Sequence, residues 1–356
     1  MSTRMARLAL GLAFTALLPV ALVAVQPAGA AVNPRSSSAT GGLERGIDVD
    51  WIGQQDVPLA TLTAQAQSVM QYVKSLGSNS VTISFAYDTP NRTSDVVRAE
   101  AITPSVQQVE LAVKAAHRYG LAVTIRPFLD QVPLKAVASS LWSGAVSPTN
   151  RSAWFAHLYA FLAPYLVMSQ KTGVQTFVVG SELNALASAP NWRPLLAQAG
   201  RLYHGKLSYA ANWDVYETSD IGVPVHTAGL DAYPPQDVGW NASLKKLTNG
   251  WLQWFEKSPT SLHKKTVIYE VAILATDGAY KLPWAWTLAG KYNPEVQYRW
   301  FMAACLAARD AGIAGINFWG ITSNQVLTGS PGSTDRGSFA GRAGATAIKT
   351  CFTQVY

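Results

Sequence analysis

The sequence predicts an α/β chain folded as one (β/α)8 TIM barrel, and three observations carry that expectation. Short β-rich runs alternate with longer amphipathic stretches eight times after residue 44. The runs are apolar enough to be buried on both faces, as parallel strands covered by helices are. The first run continues as GIDVDWIGQQDVP, without the glycine-rich phosphate turn that marks a doubly wound open sheet. Such barrels need about 250 residues and grow past about 400 by loop insertion, so the 356-residue chain fits as a single domain.

The elements follow in order. GIDV at 46 is the first strand, with a helix over 59–76; SVTISF at 80 is the second, with a helix over 104–119 marked by Thr103 as cap, Pro104 at its first position and Gly120 past its end. LAVTIRPF at 121 precedes a helix over 150–169, and TFVVG at 176 one over 192–203. KLSYAAN at 206 and AGLDAY at 228 leave room between them for only a vestigial helix. A helix over 244–257, the strand TVIYE at 266, a helix over 294–311, the strand AGINFWG at 314 and a helix over 341–350 complete eight units.

Ahead of these units lies a targeting segment. Arg4 and Arg7 precede an apolar run over 8–25, broken by Pro19 and closed by Ala28-Gly29-Ala30, the pattern of a cleaved Sec-type signal peptide over 1–30. Residues 31–43, rich in Ser, Gly and Ala, read as a flexible lead-in to a folded part spanning 44–356. Since no later segment offers the roughly eighteen apolar residues of a membrane span, the expectation is a secreted protein, free of the membrane once cleaved and acting as a monomer.

Composition narrows the function further. Loss of Arg4 and Arg7 takes the formal charge from +7 to +5, and the remaining basic residues are scattered, which argues against a nucleic-acid partner. Twelve Trp and fourteen Tyr supply flat faces on which sugars stack, although tryptophan is also ordinary core material. His117, His157, His204, His226 and His263 show no metal-ligand spacing, and no cofactor fingerprint is present, so neither a metal nor a cofactor is expected. Gly180-Ser181-Glu182 lacks the second glycine of a nucleophile elbow. Cys305 and Cys351 pair as a disulfide or stay as two buried thiols.

In a barrel of this kind the site forms where the strands end. Those ends carry Asp48, Asp50, Asp88, Arg126, Asp130, Glu182, Asn212, Trp213, Asp214, Asp231, Tyr233, Glu270 and Trp319. Glu182 ends the fourth strand and Glu270 the seventh, each delivered by an otherwise apolar run. A glutamate opening the next helix would serve its positive end equally well. Two facing carboxyls about 5 to 5.5 Å apart are what retaining glycoside hydrolysis requires.

The segments VVGSELN at 178, SYAANWD at 208, GLDAYPP at 229, VIYEVA at 267 and INFWG at 316, with ITPSVQQVELAVKAAHRYGLAVTIRPFLD from 102, resemble the retaining glycosidases with glutamates on strands four and seven. More narrowly the chain resembles glycoside hydrolase family 113, the β-mannanase-like barrels. That resemblance implies Glu182 as acid/base, Glu270 as nucleophile and Tyr233 as the hydrogen-bond partner that keeps Glu270 ionised. It also implies Asn212, Trp213 and Trp319 as sugar-subsite residues. On residue type alone the two tryptophans serve equally as core, Tyr233 as loop packing and Asn212 as a turn residue. Arg126 and Asp130 are the further polar residues expected in the pocket.

Two positions depart from the pattern. Much of the wider clan has Asn before the acid/base to hold the sugar 2-hydroxyl, where this chain has Ser181, so the contact is made at shorter reach or lost. On strand three the family tends to read Lys-Pro-His, and this chain reads Arg126-Pro127-Phe128. The expected activity is endo-β-1,4-mannanase-like cleavage of a β-linked polysaccharide. Glucan or xylan as substrate, and a non-catalytic glycan-binding barrel, remain as alternatives.

Overall fold

The computed structural model describes residues 43–218, 221–225, 227–325, 327 and 335–356; the signal peptide and nearly all of the lead-in read from the sequence lie outside them. Eight parallel strands close into a barrel in chain order. They are β1 Glu44–Asp50, β2 Ser80–Tyr87, β3 Ala122–Leu129, β4 Thr176–Ser181, β5 Lys206–Asn212, β6 Thr227–Asp231, β7 Val267–Val271 and β8 Gly315–Thr322.

Around them run α1 Leu59–Ser75, α2 Val106–Arg118, the short α3 Val132–Val137, α4 Arg151–Thr172, α5 Trp192–Leu202, the four-residue α6 Trp213–Tyr216, α7 Leu244–Phe255, α8 Thr260–His263, α9 Pro294–Ala311 and α10 Ala343–Thr350. Among the described residues no helix is long and apolar enough to cross a membrane.

Local chemistry sets the helix ends. The cap of α2 is Ser105, whose hydroxyl accepts from the Gln108 amide while the Gln108 side chain accepts from the Ser105 amide. Thr103, expected there, instead donates to the Ala86 carbonyl and accepts from the Glu100 amide, because Pro104 keeps the chain extended before the first turn. Asn150 caps α4, and Gly173 ends it in the left-handed region. The vestigial helix between β5 and β6 is α6.

Two apolar layers hold the barrel. The outer one lies between strands and helices, with Ile47, Val81, Ile83, Ile125, Phe177 and Ile316 at 0% exposure. It absorbs much of the tryptophan, since Trp154, Trp192, Trp251 and Trp300 are fully buried. The inner layer fills the barrel axis with Val178, Ala210, Val267 and Tyr269, whose hydroxyl donates to Ser208 Oγ at 3.1 Å. Gly229 is required beside it, because a Cβ there would stand 2.1 Å from the Tyr269 ring.

Cys305 on α9 and Cys351 after α10 form a disulfide. It closes a loop between residues 46 apart, which restricts the unfolded chain. Replacing both cysteines by serine should lower unfolding free energy by roughly 3 kcal/mol in urea titrations, and the loss should match that of the wild type under reductant.

The ladder is interrupted at three places that matter for function. One extra residue lies on β4 between Val178 and Ser181, one on β7 between Ile268 and Val271, and one on β8 between Trp319 and Ile321. Each is a β-bulge, which breaks the in-out alternation and re-aims the side chains beyond it. Gly320 makes the third possible: its φ of 134° is open to glycine, and a Cβ would lie 2.9 Å from the Gly337 carbonyl.

Candidate active site

Arg126, delivered inward by β3, organises the C-terminal mouth of the barrel. Its side chain is 2% exposed. One terminal nitrogen lies 3.5 Å from Asp48 Oδ2 and donates to Ser84 Oγ at 3.3 Å. The other donates to Asp231 Oδ2 at 2.7 Å and Ser181 Oγ at 2.8 Å, and pairs with Glu270 Oε1 at 2.6 Å. The Ser181 hydroxyl in turn donates to Asp231 Oδ2 at 2.8 Å.

One cation faces three carboxyls, two of them fully buried, and it cannot neutralise them all. Burial, opposed by Arg126, raises Asp48 well above the usual carboxylate range and pushes Asp231 up to about 7, the charge on Glu270 adding to both. Burial alone would lower the guanidinium, but Asp231, Glu270 and Asp48 outweigh it and keep it protonated.

Glu270 stands at the bulge of β7, where the step from Leu230↔Ile268 to Asp231↔Glu270 shifts the register. Tyr269 and Glu270 therefore both turn toward the barrel axis. The Tyr233 hydroxyl donates to Glu270 Oε2, so one carboxylate oxygen is held by Tyr233 and the other by Arg126. The tyrosine's own proton is held tightly, its pKa raised well above the ordinary value by burial and by the Glu270 charge.

Glu182 follows the bulge of β4 with φ 53°, the one non-glycine positive φ among the described residues. Left-handed backbone costs a residue with a Cβ about 1 kcal/mol, a strain usually found at sites of function. The Glu182 amide donates to the Ala210 carbonyl at 2.8 Å, which fixes the kink. Burial first, then the charges of Asp231 and Glu270, raise its carboxyl well above the usual range despite Arg126. Two glutamates in one mouth thus have different surroundings: Glu270 is bonded to a cation and a phenol, Glu182 is desolvated beside negative charge.

The remaining expected residues separate by depth. Ser181, considered for a sugar hydroxyl, is 3% exposed and engaged with Arg126 and Asp231 below the mouth. Asn212 caps α6, its Oδ1 accepting from the Trp213 amide at 2.9 Å. Asp130 is half-buried and accepts from the Val132 amide at 2.9 Å, opening α3. Trp213 lies parallel to Trp284, ring centroids 5.4 Å apart and planes 9° apart, and Trp319 meets Trp286 edge to face at 4.7 Å. Sequence reasoning missed Trp284 and Trp286. Their signal was PWAW at 283, two tryptophans in an aperiodic stretch. It listed Asp48 and Asp231 among the strand-end residues without giving them a role, and only the closed barrel shows them converging on Arg126.

Among the described residues no group of three or more His, Cys, Asp or Glu side chains is arranged to hold a metal ion. With this geometry in place, comparison with known proteins decides the family. The model of Glycoside Hydrolase Family 113 matches residues 58–335.

The chain belongs to glycoside hydrolase family 113.

It is therefore a glycoside hydrolase, and its barrel superposes on solved family 113 structures. The family 113 β-mannanase AaManA from Alicyclobacillus acidocaldarius, in complex with ManMIm, is 20% identical with a TM-score of 0.71, over 88% of this chain and 98% of that one. A family 113 β-1,4-mannanase solved as a complex is 16% identical with a TM-score of 0.73, over 88% and 99%. A GH5_18 protein from Streptomyces cattleya, bound to GlcNAc, is 15% identical with a TM-score of 0.55, over 88% and 82%. No curated protein matches this family 113 chain by sequence.

Proposed function

We propose that the protein is a secreted, monomeric, retaining endo-β-1,4-mannanase in which Glu182 is the acid/base and Glu270 the nucleophile. The observation that carries the mechanism is the contrast between these two glutamates. Tyr233 and Arg126 hold the two oxygens of Glu270 by a hydrogen bond and an ion pair, while burial and negative neighbours keep a proton on Glu182. Mannan as substrate is supported by the family 113 neighbours, which are β-mannanases. Export is supported by the N-terminal segment alone.

In the first step the Glu270 carboxylate attacks the anomeric carbon. The glycosidic C–O bond breaks and the Glu182 proton passes to the leaving oxygen. The resulting ester removes the charge on Glu270. Because that charge is one of the causes raising Glu182, the carboxyl of Glu182 becomes more acidic once the ester forms. It then takes a proton from water, whose oxygen attacks the same carbon and releases Glu270.

A pH prediction follows from the sign of that shift. Activity requires Glu182 protonated, so kcat/KM should fall as pH rises through its raised pKa, giving an alkaline limb. In Glu182→Gln, hydrolysis of a dinitrophenyl glycoside, which leaves without a proton, should retain its first step and lose the limb. A limb that persists in the variant would assign it to another group.

The deciding experiment is reducing-sugar release by residues 31–356 from mannan, glucomannan, xylan, cellulose and mixed-linkage glucan, with Glu270→Gln protein as blank. Release from mannan that is absent in the blank supports the assignment. Release from another polymer alone replaces the substrate, and binding without release from any polymer overturns the mechanism.

A further inference from the structure

The stretch between β7 and α9 carries two tryptophans that the residues discussed so far do not explain. Trp284 is 41% exposed and Trp286 38%, in a protein that buries other tryptophans completely. Neither lies on a loose loop. Thr276 bridges to Tyr292, the Asp277 amide donates to the Lys291 carbonyl at 3.0 Å, and Asn293 Nδ2 donates to Asp277 Oδ1 at 2.7 Å. From the other side Arg336 donates to the Gly290 carbonyl at 2.7 Å.

The two rings serve different partners. Trp286 lies against the backbone of Gly337, where a Cβ would come 3.3 Å from the ring, and meets Trp319 edge to face. It braces Trp319 from behind. Trp284 lies flat on Trp213, and the close parallel stack leaves no gap for a sugar between them. What the stack offers is its outer aromatic face, continuous with Trp213 at the end of β5 and so with the mouth that holds both glutamates.

The opposite wall of the mouth is acidic. Asp50 ends β1 and is pushed up to about 7 by burial and by the Glu270 charge. Asp130 follows β3 beside Glu100, which burial and the Asp130 and Asp88 charges also push up to about 7. A pyranose has an apolar face of C–H groups and a rim of hydroxyls. In the closed barrel β1 and β3 stand across from β5 and β7, so aromatic rings on one side and carboxyls on the other match those two surfaces, and carboxyls that already crowd one another suit an uncharged glycan.

We infer that Trp284, seated on Trp213, forms an outer subsite that binds a neutral hexopyranose unit of the substrate chain, beyond the units flanking the cleaved bond. The assignment rests on the glycan-cleaving function proposed above. It adds a length dependence: chains long enough to reach Trp284 are held more tightly than short ones.

The test compares Trp284→Ala with wild type on β-1,4-manno-oligosaccharides of three and six units. The ratio of hexasaccharide to trisaccharide kcat/KM should fall about tenfold, a loss of the size that one well-packed aromatic contact supplies. The change should lie in KM, with Trp284→Phe recovering part of it. Trp240→Ala, which removes a tryptophan 51% exposed and outside the stack, should leave the ratio unchanged.

Affinity electrophoresis through gels containing glucomannan gives a readout independent of turnover. Reduced retardation of Trp284→Ala supports the subsite even if no polymer is hydrolysed, so failure of the catalytic assignment and failure of the subsite are told apart. Equal losses on both oligosaccharides, or unchanged retardation, would overturn the inference. So would a dimer, seen by sedimentation for the wild type, that dissociates in Trp284→Ala, since the ring would then face a second copy of the chain.

Discussion

Glu270→Gln should reduce kcat on the order of 10⁵-fold, the scale seen when a covalent nucleophile is removed from a site whose other groups remain. The fold should survive. Glutamine keeps the shape of the side chain, its single oxygen can accept from Tyr233 or from Arg126 but not both, and Arg126 retains Asp231 at 2.7 Å and Asp48 at 3.5 Å. The melting temperature should therefore move by only a few degrees while activity disappears.

Two further measurements separate a lost nucleophile from general damage. Azide added to Glu270→Gly should restore turnover and yield a glycosyl azide of inverted configuration, because the small anion replaces the missing carboxylate. The Glu182 carboxyl, no longer facing the Glu270 charge, should titrate lower than in the wild type. A variant with tens of per cent of wild-type kcat would remove Glu270 from the nucleophile's role.

Arg126→Met is expected to be the most destabilising single change at the site, by about 3–5 kcal/mol near pH 8, the usual result of removing one partner from a buried ionic cluster. Asp48 and Asp231 are both 0% exposed, and without the guanidinium their charges have no cation beside them. The sign of the pH dependence follows. Their folded pKa values lie above the unfolded value of about 3.9, so the stability they permit is complete below that value and is lost as pH rises through the folded pKa.

For Asp231 the folded value is already about 7 with Arg126 present, and the variant raises it further. The penalty should therefore be small near pH 5 and grow toward pH 8, read from urea titrations at both. Should Arg126→Met fail to fold, Arg126→Met/Asp231→Asn removes one orphaned charge and should recover part of the loss. A penalty equal at both pH values would mean that Arg126 acts by packing, not charge.

The barrel was legible in the sequence because its evidence is local. Apolar runs such as TFVVG and helix signals such as Gly120 are written within a dozen residues. The cap at Ser105 was legible in the local Ser105-x-x-Gln108 pattern and was passed over because Thr103 before Pro104 offers a second cap of the same kind. Glu182 and Glu270 were found as carboxylates ending apolar strands, and Tyr233 through family resemblance. The meeting of Asp48, Ser181, Asp231 and Glu270 on Arg126 was not visible, since it joins β1, β3, β4, β6 and β7 through the barrel's interior. The stacking of Trp284 on Trp213 was likewise hidden, for it joins the start of α6 to the stretch between β7 and α9, far apart in the chain.

The bulges have a consequence for how this scaffold can vary. A regular strand obeys a parity rule, one residue in and the next out, so adding or removing a single residue ahead of a catalytic group exchanges the two faces. Here the extra residue on β4 and that on β7 break parity just before the chemistry, and the ladder resumes at once, through Glu182 to Ala210 and Ala232 to Glu270. The glutamates are thus referenced to the strands behind them. The loops beyond can lengthen, shorten or exchange their aromatic residues, and so change which glycan is held, without altering where the two carboxyls point.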